Sequence, residues 1–201
     1  MSITSAFALG FAPEYCASSC SATKVNPFFN QTSSQPYTDY GIRPTMILAA
    51  TDFKNAKALI DRGVAANGTY PEGTAYLIST TDRARNVRAV FYPEIQQKLG
   101  EQIQIKRIAK NSIEHKSDVL FYFTGLEQVK NLATLRFLPG AIADHLTSFG
   151  GQLTDSSQMS SLRWLEAGAT GSYRTVVEPC NFPQKFPHPG IVMSYINSQK
   201  S

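Results

Sequence analysis

The sequence predicts an α/β fold: a three-layer α/β/α sandwich on a mostly parallel sheet. Three observations predict it. Short continuous apolar runs, the mark of strands buried on both faces, recur along the chain. Between them lie stretches whose apolar residues return at helical spacing, and such alternation implies right-handed crossovers between parallel strands. The third is composition: 201 residues, 42% hydrophobic and 17% charged, can bury a real core and are too apolar for general disorder.

Two regions follow from the pattern. Residues 1–43 are rich in Ser, Asn, Gln, Thr, Pro and aromatics, as in NPFFNQTSSQPYTDYG, and read as an extended loop-rich segment packing its aromatics on the domain. Residues 44–201 read as a single α/β domain. Thr45 to Ala50 (TMILAA) is its first buried strand, with Met46–Ala49 in the sheet. Asp52 is the N-cap of a helix whose apolar face is Phe53, Ala56, Leu59, Ile60 and Val64, ending at Asn67-Gly68.

Ala75 to Ser79 is the next strand, with Tyr76–Ile78 at its centre. A helix from Arg85 to Leu99 follows, divided by Pro93. Gln102 to Ile108 alternates loosely and suits an edge strand, whereas Asp118 to Gly125 is the strongest buried strand in the chain. Phe137 to Ala143 is a further apolar run, with Ala141–Ala143 in the sheet. Ser160 to Gly168 is a short helix with a glycine C-cap, and Ala169 to Val177 closes the series as a strand.

Several function classes fall away. Nineteen Lys+Arg against 15 Asp+Glu give a scattered net charge of +4, which does not mark a nucleic-acid binder. No run approaches the roughly 18 apolar residues of a membrane-spanning helix. Met1 to Phe11 lacks the basic flank of a secretory signal peptide. Neither the Walker pattern nor the dinucleotide glycine fingerprint occurs, so no cofactor is expected. Cys16 and Cys20 have no further zinc ligands at matched spacing. In their loop they either bridge in an oxidising compartment or stay free thiols in a reducing one, and their spacing puts them within disulfide reach. Cys180 is left over.

In open parallel sheets, ligands bind beyond the carboxyl ends of the strands. The richest such stretch is Asp144 to Gly151 (DHLTSFGG), an acid, an imidazole and two hydroxyls followed by two glycines. His145 is a candidate general base, Ser148 or Cys180 the nucleophile it activates, and Asp144 or Glu178 the orienting acid. The bland alternative is a set of capping and loop contacts, since no G-x-S-x-G elbow is present. Gly150 and Gly151 suit an anion nest. Arg83, Arg85 and Arg88 read as a solvated basic face, Trp164 as core, and His115 and His188 as solvent-facing. The sequons at Asn30 and Asn67 carry no meaning beyond chance.

Leu138 to Gly151 (LPGAIADHLTSFGG), Gln158 to Tyr173 and Val177 to Pro187 (VEPCNFPQKFP), with Ser2 to Gly10 and Arg62 to Asn67, resemble a bacterial family of exported proteins of unknown function. The resemblance spans nearly the whole chain. It implies a periplasmic or secreted location, and, because the family is longer at both ends, a truncated member. The order of elements is more distantly similar to the gingipain and caspase-like cysteine peptidases, implying a caspase-hemoglobinase-like architecture. There a His-Gly pair ends one strand and the catalytic Cys ends the next. Here Leu126 stands where the histidine belongs and no cysteine stands near Ser148, so the dyad does not carry over. The expected function is binding of a ligand, a protein or peptide, at the strand-end crevice. The alternatives are a hydrolase using His145 with Ser148 or Cys180, and a structural piece of a larger envelope protein.

Overall fold

Four parallel strands form the sheet, in the order β2-β1-β3-β4. They are β1 (Thr74–Ser79), β2 (Gln104–Ala109), β3 (Val119–Thr124) and β4 (Phe137–His145). The structure is a computed structural model describing residues 3–16, 19–29, 31–154, 156–180 and 182–198. The Asn30 sequon therefore lies outside the described residues. Six helices accompany the sheet among those residues: α1 (Ile3–Leu9), α2 (Pro36–Tyr40), α3 (Phe53–Ala66), α4 (Tyr92–Leu99), α5 (Leu162–Glu166) and α6 (Pro189–Ser198). The N-terminal segment, read from the sequence as loop, thus carries two short helices.

The central strands are buried on both faces, as parallel strands flanked by helices must be. Side chains alternate between the faces. On one face, Tyr76, Ile78, Tyr122 and Ala143 pack with Trp164 of α5. On the other, Ala75, Leu77, Phe121 and Phe123 pack with Tyr92, Ile95 and Leu99 of α4 and Met193 of α6. The helix α3 packs on β4 and α5. The edge strand β2 alternates loosely and exposes Lys106 and Arg107, which protects a sheet margin from further pairing.

Local signals hold closely. The Asp52 carboxylate accepts from Asn55 N at 2.8 Å and so caps α3. Pro93 falls where a 3₁₀ turn (Asn86–Phe91) passes into α4, dividing the predicted helix. Gly168, at φ +113°, ends the α5 region in a conformation other residues avoid.

Two predicted strands are corrected. Thr45 to Ala50 forms no strand and pairs with none among the described residues, with Met46 83% and Leu48 63% exposed. Its apolar run is strand-like, yet pairing is non-local, and the free side of β4 is met instead by Gly171. Ala143 N donates to Gly171 O at 3.1 Å and Gly171 N to Ala141 O at 3.2 Å. Ala169 to Val177 supplies only that single bridge, because the chain then turns inward to bury Arg174 and Thr175.

The cysteine pairing is corrected as well. Cys20 is bonded to Cys180, with Cα atoms 5.1 Å apart, and Cys16 is free. Ser19 N also donates to Glu178 O at 2.6 Å, so backbone pairing brings the two distant segments side by side. Sequence spacing carries no information about such a partner 160 residues away.

Candidate functional site

The carboxyl ends of β1, β3 and β4 converge on a buried polar cluster. Register places Phe123 beside Asp144 and Thr124 beside His145. After β1 the 3₁₀ turn carries Arg88 over these strand ends. Arg88 Nη2 donates to Thr124 O at 2.8 Å and to Asp144 Oδ1 at 3.0 Å, and Arg88 Nη1 donates to Pro187 O at 3.1 Å. From the other side Arg174 Nη1 lies 2.7 Å from the same Asp144 Oδ1. All three side chains are only 2% exposed. Among the described residues, Asp144 Oδ2, Arg88 Nε and Arg174 Nε have no hydrogen-bond partner.

Two guanidiniums on one carboxylate give the cluster a net positive charge. Taking these ions out of water is costly, and their attraction repays it only through close geometry. Burial, the main cause, pushes the Arg174 pKa down to about 10 against the opposing pull of Asp144.

His145 sits in the same cluster, fully buried. Its Nδ1 accepts from Trp164 Nε1 at 2.8 Å and also from Arg174 Nη2. An accepting Nδ1 leaves the proton on Nε2, which donates to Met159 O at 3.1 Å. Burial, reinforced by the Arg174 charge, holds the His145 pKa well below the ordinary imidazole value. The ring is therefore neutral, and both nitrogens are engaged away from any nucleophile.

Among the described residues, none of the hydrogen bonds of that ring goes to Ser148, Cys180 or Glu178. Ser148 is 6% exposed, and its carbonyl accepts from Thr175 Oγ1 at 2.5 Å. None of the His145 ring bonds among the described residues goes to its hydroxyl. The Cys180 sulfur is in the disulfide and so offers no thiolate. Glu178 is exposed, and its Oε1 accepts from Cys180 N at 2.9 Å, a local turn contact. Of the five, Asp144 and His145 both contact Arg174 and so share a neighbour.

Gly150 and Gly151 serve close packing instead of an anion nest. A Cβ at Gly150 would lie 2.5 Å from Arg174 Cδ, and one at Gly151 would lie 2.7 Å from Thr175 O. Glycine here lets the 174–175 backbone approach and deliver Arg174 to Asp144.

Sequence reasoning missed the two cluster arginines. The sequence reads Arg88 as part of a solvated face, yet its neighbours Val87, Ala89 and Phe91 are apolar and partly buried, the signal that the turn packs inward. Arg174 carries no comparable local signal. Arg85 differs from Arg88: it pairs with Asp82 at 2.9 Å and keeps a quarter of its side chain exposed. His188, read as solvent-facing, is half-buried with its ring against Phe91 at 4.9 Å. Burial lowers its pKa.

An open cleft of about 530 Å³ lies between α4 and α6. Ile95, Leu99 and Ile191 give it an apolar lining, with Glu94, Lys98 and Ser194 at hand. At its His188 end it adjoins the cluster, because Pro187 O accepts from Arg88. No group of three or more His, Cys, Asp or Glu side chains suited to a metal ion occurs among the described residues, and no described helix is long and apolar enough to cross a membrane. The chain matches no known protein-family profile, no curated protein and no solved structure.

Proposed function

We propose that this protein is an exported binding domain of caspase-hemoglobinase-like architecture, without peptidase chemistry, that takes a peptide segment in the α4/α6 cleft. One observation carries the reading. Both His145 nitrogens are held by Trp164, Arg174 and Met159 while the Cys180 sulfur is bonded to Cys20. The strand-end edge thus holds a packed ionic core where a peptidase needs a nucleophile and a free base.

The parallel order β2-β1-β3-β4 supports the architecture. The Cys20–Cys180 disulfide supports an oxidising compartment. The cleft volume lies in the range of known ligand sites, about 300–1,000 Å³. Its apolar lining suits an apolar side chain, and the exposed Lys98–Glu94 ion pair (2.6 Å) at its edge leaves oxygens and N–H groups for the amides of a peptide backbone.

A random peptide library passed over the immobilised full chain tests this. Peptides with apolar anchors should be retained, and Ile191→Glu should reduce retention by at least about ten-fold, one lost anchor's worth. Ile191 is 58% exposed, so the fold tolerates the change. Equal retention by both proteins overturns the cleft assignment. Separately, peptidase or esterase turnover abolished by His145→Ala would establish the hydrolase instead.

A further inference from the structure

We infer that Cys16 is a resolving thiol for the Cys20–Cys180 disulfide, so that the chain carries an internal three-cysteine exchange. Cys16 is free and partly exposed, and it lies four residues before the bonded Cys20. Four residues span at most about 14 Å of chain, so Cys16 is confined near Cys20 at high effective concentration.

In the step, the Cys16 thiolate attacks Cys20 Sγ. The Cys16–Cys20 bond forms as the Cys20–Cys180 bond breaks, and the electron pair leaves on Cys180 Sγ, which takes up the proton that Cys16 gave up. One disulfide and one thiol are present before and after, so no oxidant or reductant is needed.

Two features of the surroundings favour the exchange. Lys185 Nζ donates to Ser19 O and Ser21 O, both at 2.7 Å, which fixes an ammonium beside Cys20. A cation beside the disulfide stabilises the thiolate that leaves it. Cys180 has φ +61° and Ser19 φ +53°, left-handed backbone that residues other than glycine adopt at a cost. Releasing Cys180 removes the covalent constraint that holds it there. The exchange also converts a covalent tie across 160 residues into a local one, leaving the 178–187 segment joined to the N-terminal segment by hydrogen bonds alone.

The full chain, held without reductant at mildly alkaline pH, tests the proposal. Samples are quenched with acid, free thiols labelled with a maleimide, and non-reduced peptides mapped by mass spectrometry. The label should begin on Cys16 and pass in part to Cys180 as a Cys16–Cys20 peptide appears. Labelled Cys180 should exceed that in Cys16→Ser by at least about ten-fold, and dilution should leave the rate unchanged. Label confined to Cys16 at all times overturns the proposal. So does a rate proportional to protein concentration, which would mark exchange between molecules.

Discussion

Trp164 Nε1 donates to His145 Nδ1 at 2.8 Å, and this bond fixes the tautomer of the one imidazole at the carboxyl edge of the sheet. The indole itself lies against Tyr122 at 4.9 Å and, edge-on, Phe137 at 6.1 Å, so packing on the sheet aims the N–H. A residue that reads as core therefore also determines what the adjacent histidine can do.

Trp164→Phe keeps an aromatic ring and removes the donor. Losing that buried bond should cost about 1–3 kcal/mol. Urea denaturation at neutral pH measures it, and an unchanged midpoint would show that the bond contributes nothing net.

Asp144→Asn should be more damaging. It leaves Arg88 and Arg174 buried without a counter-charge, a loss of about 3–5 kcal/mol. Arg174→Met in the Asp144→Asn background should recover part of that loss by removing one unpaired cation. If the double variant is less stable than Asp144→Asn alone, the cation is not the source of the penalty.

Acidification should weaken the fold before the carboxylates titrate. His145 and His188 both have folded pKa values below the free imidazole value, through burial first in each case. The unfolded chain takes up protons as pH falls below about 6.5 while folded His145 does not, so stability is full above that pH and declines beneath it. For His145 alone the slope is about 1.4 kcal/mol per pH unit. Denaturation midpoints at about pH 7.5 and pH 5.5 measure the slope, the pH values bracketing the free imidazole pKa. Equal midpoints would show that His145 is protonated in the fold.

Cys20→Ser should lower thermal stability. Closing a loop of this length contributes up to about 5 kcal/mol by chain entropy. A calorimetric midpoint equal to that of the unaltered protein would mean that the disulfide does not form in solution.

The layered parallel architecture was legible in local pattern, because period and apolar continuity are local properties. Tyr76–Ile78, Val119–Phe123 and Ala141–Ala143 all lie in the sheet. The Asp52 cap, the break at Pro93 and the stop at Gly168 were legible for the same reason: each acts within a turn of its own position. The sequence also placed Asp144 and His145 at a strand end.

Which partners those residues meet depended on packing between segments far apart in the chain. Thr45 to Ala50 has strand composition but no strand beside it, since Gly171 meets the free side of β4. Arg88 and Arg174 reach Asp144 across 56 and 30 positions of chain, and Cys20 finds Cys180 across 160. Composition near one residue does not encode contacts so far along the chain. The imidazole of His145 is thus a candidate base in the sequence and a neutral, fully bonded core group in the fold, because Met159 and Trp164 of the segment running into α5 and Arg174 of the loop beyond it converge on the ring.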